Sequence, residues 1–324
     1  MHSRFGRIFD NDWVGPAIVC LVAVAAISIA QPSFLSPFNI LVLLSAISVN
    51  MVVALGQLVI IAIGQMNLAL GAFGGLVAIC FVAVMELYGV PPIAAMLMGL
   101  SIGMLAGVAT GFIIARTGIS AFIITLAGLQ IFKGINLGIT EAQPFYGVPQ
   151  AVKDFGNLGI FGSPIPWLVL PMIAAGLGMW YLFNRLRIGR YILAVGGNRT
   201  AAELSGINVT ATIIWAYAIS GALAAIAGMM LVARLQIGQP TIGDDWLISS
   251  FAAPVIGGAV LTGGHVSVSG TFFGVVIIAI ITQALVLFAI DPFVVQIVLG
   301  ALILWAVGIN RFREIRIAKL NEAR

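Results

Sequence analysis

Two stretches of the 324-residue chain hold the side chains best suited to chemistry. The first is Gly64-Gln65-Met66-Asn67-Leu68-Ala69-Leu70-Gly71, which breaks a long apolar run with two glycines and two amides. Each amide can donate and accept hydrogen bonds, and the glycines relax the helix around them. Inside a membrane, such a break survives only where protein or a water-filled path satisfies the backbone. Two roles fit it: stitching neighbouring helices together, or lining a path for a hydroxyl-rich solute. Asn50, Gln57, Gln130 and Asn136 are weaker candidates for the same path as Gln65 and Asn67.

The second stretch runs from Arg185 to Asn208 and is basic. Within it Thr200-x-x-Glu203 reads as a capping box, which would start a helix by satisfying two free backbone N–H groups. Gly206 is placed to end that helix with a left-handed residue. So short a helix is unstable unless it packs on something. A basic loop that fixes topology and a docking helix for a cytoplasmic partner fit these residues equally well.

Catalytic signatures are absent. No segment reads G-x-x-x-x-G-K-[ST], H-E-x-x-H or G-x-S-x-G, and no two cysteines form a paired motif. The only histidines are His2 and His265, and Cys20 and Cys80 sit in apolar runs as small buried hydrophobes. No metal or cofactor is expected, and the chain cannot hydrolyse a nucleotide in the P-loop manner. Proton-driven carriers place ionisable groups at membrane depth. Here Arg116, Lys133, Arg234 and Asp291 read as span-end residues, with Glu86 near another end.

The elements that must position these residues follow from composition. The chain is 61% hydrophobic and 8% charged, which no water-soluble surface can accommodate. This composition predicts an all-α polytopic membrane protein forming a single transmembrane domain over 1–324, with a cytoplasmic loop at 185–210. Crossing about 30 Å of hydrocarbon takes about 20 apolar residues. About ten runs qualify: 14–31, 40–63, 68–87, 91–115, 119–139, 165–184, 211–233, 247–261, 267–290 and 293–309. The eighth is short enough to be a half helix, and the approach to the first, broken by Asp10 and Asp12, reads as a span rather than a cleaved leader.

From a cytoplasmic N-terminus, twelve of the 15 basic residues fall inside, and only Lys133, Lys153 and Arg234 fall outside. That asymmetry favours an even number of spans with both termini cytoplasmic. It also assigns the net charge of +4 to topology rather than to nucleic acid. Gly99, Gly103, Gly107 and Gly111 stack four bare patches on one face of the fourth span, for close helix packing. Trp13, Trp167, Trp246 and Trp305 read as interfacial anchors.

The basic stretch also carries a resemblance. Gly189-Arg190-Tyr191, Ala194-Val195-Gly196-Gly197-Asn198, Ala201-Ala202 and Leu204-Ser205-Gly206-Ile207-Asn208-Val209 resemble the cytoplasmic loop of bacterial sugar ABC importer permeases of the ribose-permease type. The run Val255-Ile256-Gly257-Gly258, Leu261-Thr262-Gly263-Gly264, Gly270-Thr271 and Gly274 is similar to the glycine-rich region before that family's penultimate span.

The resemblance implies an importer permease fold in the bacterial inner membrane, working as a dimer or with a related permease. A cytoplasmic ATP-binding-cassette ATPase would dock on Gly189, Arg190, Gly196, Gly197, Asn198, Thr200, Ala201, Ala202, Glu203, Leu204, Ser205 and Gly206. A periplasmic solute-binding protein would deliver a monosaccharide or similar polyol, and lipid would surround the whole.

The chain departs from the family pattern G-G-I-D-L-S-V-G by carrying Asn67 for the acid and Ala69 for the serine, and Pro254 is a milder departure. A permease for a nucleoside or branched-chain amino acid is the nearest alternative. A secondary carrier without an ATPase is the alternative from another class.

Overall fold

The computed structural model describes residues 13–291 and, beyond them, 293, 294, 296–298, 300, 301, 304 and 308. Among these residues there is no strand, and twelve α-helices follow one another. They are α1 Val14–Ala30, α2 Pro37–Ala62, α3 Leu70–Tyr88, α4 Pro92–Thr117, α5 Ala121–Thr140 and α6 Gln150–Asn157. Then come α7 Val169–Arg185, α8 Arg187–Gly197, α9 Arg199–Leu204, α10 Val209–Leu235, α11 Trp246–Ile256 and α12 Val268–Leu287. Six of them (α2, α3, α4, α5, α10 and α12) are long and apolar enough to cross a membrane. The expected span at 293–309 is described only in part, and Trp305 and the basic residues of both termini lie outside the described residues.

Local chemistry starts these helices where it should. Ser36 Oγ accepts from the Asn39 N–H at 3.3 Å ahead of α2, with Pro37 as first helical residue. Asn208 Oδ1 accepts from Ala211 N–H at 2.9 Å ahead of α10, and Ser267 Oγ from Gly270 N–H at 3.0 Å ahead of α12. The eighth apolar run folds as α11, only 11 residues long. At 1.5 Å per residue it covers about 16 Å, roughly half the hydrocarbon thickness.

The core is α10, wrapped by α2, α3 and α4, with its Ala216, Tyr217, Ala224 and Ala227 fully buried. Lipid tails are as apolar as leucine, so helices in a bilayer associate through close packing rather than hydrophobic burial. Gly99, Gly103, Gly107 and Gly111 of α4 serve this against α10. A Cβ on Gly103 would lie 2.6 Å from the Gly221 carbonyl oxygen, and one on Gly107 would overlap the Tyr217 carbonyl. Gly107→Val is therefore expected to cost about 1–3 kcal/mol by overpacking. The check is a lowered thermal midpoint in detergent, with Gly176→Val, which meets nothing within 4 Å, as the neutral control.

Trp246 corrects the interfacial expectation. It is 2% exposed, and its ring fills the space over Gly74, where a Cβ would collide with it. An indole fits an interface by type, but here a bare patch on α3 draws it into the core. Trp13 stacks on Phe273 at 5.9 Å, and Trp167 meets Phe161 edge-on at 6.1 Å.

Candidate functional site

The break between α2 and α3 is held by side-chain amides. Gly64 takes a left-handed φ of +71°, which turns the chain out of α2, and the Gln65 N–H returns to Ile60 O at 3.1 Å. The Gln57 amide, in the orientation that pairs both its atoms, donates to Asn67 O at 3.1 Å and accepts from Asn67 N–H at 3.2 Å. It thus replaces the helical partners that the break removes. Asn67 Oδ1 accepts from Ala69 N–H at 3.0 Å, while Nδ2 donates to Ser220 Oγ of α10 at 3.4 Å. Both amides are fully buried, and the partners just named are all protein.

A cavity of about 170 Å³ opens beside the restarted helix. It lies between the start of α3 (Leu68, Gly71), the middle of α5 (Leu129, Lys133, Asn136) and Asp244 on the approach to α11. Lys133 Nζ donates to both Asp244 carboxylate oxygens, at 3.0 and 2.9 Å. Asn136 is 3% exposed; its Nδ2 donates to Pro240 O at 3.0 Å, and its Oδ1 has no partner.

Of the amides singled out from sequence, only Asn136 lines this cavity. Gln57 reaches the break from α2 and Asn67 lies within it, Asn50 and Gln65 are half-buried outside the cavity, and Gln130 is exposed on α5. Sequence reasoning missed Lys133 and Asp244. Lys133 is not at a span end: it stands seven residues before the end of α5, about 10 Å along the axis. Its charge in an apolar run was the available signal, but nothing in the sequence links it to a partner 111 residues away. A second cavity of about 660 Å³, walled by Phe81, Leu97, Phe155, Pro171, Ile226 and Met230, is almost wholly apolar and offers little to a polar solute.

The basic stretch folds as two helices, α8 and α9, rather than one. α8 is amphipathic, with Ile192 and Val195 buried and Arg187 and Arg190 exposed. The capping box is corrected as well: the helix start is Asn198, whose Oδ1 accepts from Ala201 N–H at 2.9 Å. Thr200 and Glu203 therefore lie inside α9. Asn198 is extended at φ −159°, so one residue ends α8 and caps α9.

At the other end Gly206 is left-handed at φ +81°. Its N–H bonds Glu203 O at 2.9 Å, and the Ile207 N–H bonds Ala202 O at 3.1 Å, a Schellman ending. Ala202 is buried, whereas Leu204 is 86% exposed. Asn198→Ala is expected to weaken α9 by about 0.5–2 kcal/mol. Amide exchange over 199–204 should quicken several-fold in that variant and stay unchanged in Thr200→Ala.

Three segments meet main chain to main chain beneath the break. A Cβ on Gly196, near the end of α8, would overlap Ala62 O at the end of α2 and lie 2.8 Å from Gly264 N. The Gly264 N–H donates to Ala62 O at 3.1 Å. A Cβ on Gly263 would come within 2.6 Å of Gly64 N and 2.9 Å of Gly196 Cα. Bare glycines thus join the basic segment to the end of α2 and to the turn that follows α11.

The family model described as "Branched-chain amino acid transport system / permease component" matches residues 38–307. The ribose import permease protein RbsC of Bacillus subtilis is 36% identical over 300 residues, covering 92% of each chain. Its namesake from Escherichia coli K12 is 33% identical over 318 residues, covering 95% of this chain and 97% of its own. The fructose import permease protein FrcC of Rhizobium meliloti is 32% identical over 304 residues, with 92% and 84% covered. No solved structure matches.

Proposed function

The chain belongs to the branched-chain amino acid transport system / permease component family, and from that premise we propose that it carries a monosaccharide across the bacterial inner membrane. It is a multi-pass transport subunit and not an enzyme, since ATP is hydrolysed by a separate chain. The observation that carries the sugar reading is identity above 30% along nearly the whole chain to permeases named for ribose and fructose. An ATP-binding-cassette ATPase, a second permease and a periplasmic solute-binding protein complete the importer. The family description names branched-chain amino acids, which keeps those as the second reading.

The proposed topology has ten spans, counting α11 as a half helix, with both termini in the cytoplasm. The docking face for the ATPase is the exposed side of α8 and α9, including Arg190, Thr200, Glu203, Leu204 and Ser205. An 86% exposed leucine on a six-residue helix supports this, because so short a helix gains stability from a partner. Closure of the ATPase pair would press on α9. Asn198 and the glycine junction would then pass the displacement to the end of α2 and the turn after α11. Gln57 and Asn67 keep the break of fixed shape, so it moves as a unit. Solute is carried because the two arrangements bind it differently, which requires no tight site.

The test is uptake by proteoliposomes holding the complete importer, with labelled ribose, fructose and leucine. ATP-dependent sugar accumulation is the expected result. Accumulation of leucine alone, or of sugar without an ATPase, would overturn the reading.

A further inference from the structure

We infer that Lys133, Asp244 and Asn136 form a hydroxyl-recognition subsite that grips the sugar during its passage; this rests on the monosaccharide reading above. Asn136 supplies the first argument. Its side chain belongs to the cavity lining, is 3% exposed and is pinned by the bond from Nδ2 to Pro240 O, while Oδ1 is buried without a partner. A buried acceptor without a donor is disfavoured. A sugar O–H is a donor of the right kind.

The ion pair supplies the second. Lys133 and Asp244 are 41% and 46% exposed and both line the cavity, so their pairing leaves part of each charged group open. Ionised groups well inside a membrane helix face a cavity or a path and mark where solute passes. The paired carboxylate keeps lone pairs for two neighbouring hydroxyls, and the ammonium keeps a proton for a hydroxyl oxygen. Together with Asn136 Oδ1 they offer three acceptor positions and one donor, a pattern that suits a polyol.

Size and place agree. The cavity of about 170 Å³ is several times the roughly 30 Å³ occupied by one water. It lies below the range of about 300–1,000 Å³ typical of larger ligands. It also sits where the restart of α3 touches the approach to α11, with Gly71 against Gly243. Carriers place their sites at such junctions of discontinuous helices.

The competing account is a structural latch tying α5 to residue 244. The complete importer, with its ATPase and loaded solute-binding protein, is assayed for uptake of D-ribose and 2-deoxy-D-ribose. The variants are Asn136→Leu, Asp244→Asn, Lys133→Met and the swapped pair Lys133→Asp with Asp244→Lys. A site that bonds a hydroxyl discriminates against an analogue lacking it.

Ribose uptake is expected to fall at least about tenfold in each single variant. The ribose to deoxyribose ratio should move toward unity relative to wild type, and the swapped pair should not restore uptake. Equal losses for both sugars with full rescue by the swapped pair would establish the latch and overturn the subsite. Absence of sugar uptake in the wild-type importer would overturn the monosaccharide reading itself, and the subsite with it.

Discussion

Replacing Gly196 with alanine is expected to lower ATP-driven uptake at least about tenfold while leaving membrane insertion intact. The added methyl would overlap the Ala62 carbonyl oxygen and lie 2.8 Å from Gly264 N. Both obstacles are backbone, so no side chain can rotate away. The end of α8 must separate from the end of α2, and the bond from Gly264 N–H to Ala62 O, 3.1 Å long, must stretch or break. A cytoplasmic push would then be lost in the gap instead of reaching the break at Gly64. Basal ATP hydrolysis should persist, because the exposed docking side chains Arg190, Thr200, Glu203, Leu204 and Ser205 are unchanged. Gly178→Ala, which meets nothing within 4 Å, is the matched control. Uptake at the wild-type rate in Gly196→Ala would remove the junction from the mechanism.

Most membrane helices were legible because their signal is bulk hydrophobicity, which needs no knowledge of neighbours. The expected runs 91–115 and 267–290 fold as Pro92–Thr117 and Val268–Leu287. Shorter amphipathic pieces were harder. α8 reads as basic loop because its apolar face is only Ile192, Val195 and a few neighbours, and that face acquires meaning only once α2 and α10 cover it. Trp246 shows the same dependence. Nothing in its local sequence indicates a cleft over Gly74, which α3 supplies from a distant part of the chain.

The candidate site divides along the same line. Gly206 was readable as a helix terminator, since a left-handed position is a local demand. The helix start was misplaced because Asn198 and Thr200 are both good caps two residues apart. The choice fell to Asn198, whose extended backbone also closes α8. The Lys133–Asp244 pair and the orphan oxygen of Asn136 were beyond reach, because each depends on contact across more than 100 residues. The break at Gly64–Gly71 was visible as a break. Its stitching by Gln57 was not, since an amide ten residues upstream of Asn67 carries no mark of its target.

That stitching bears the second large effect. Gln57→Leu keeps the volume of a fully buried side chain but removes both hydrogen bonds to the Asn67 main chain. The Asn67 N–H and C=O would then be buried without these partners, in a place water does not reach. At about 1–3 kcal/mol for each unsatisfied group, the loss is about 2–6 kcal/mol, enough to leave little folded permease. Gln57→Glu should fall between, because burial favours the neutral carboxyl, which can still accept from the N–H and donate to the carbonyl but must take up a proton to do so. Ser220→Ala should be mild, since its bond to Asn67 Nδ2 is long at 3.4 Å. Thermal midpoints in detergent, ranked wild type, Ser220→Ala, Gln57→Glu and Gln57→Leu in falling order, would identify the amide as the support of the break. A Gln57→Leu protein as stable as wild type would mean that the backbone at Asn67 finds other partners, and the break would then be a hinge rather than a fixed shape.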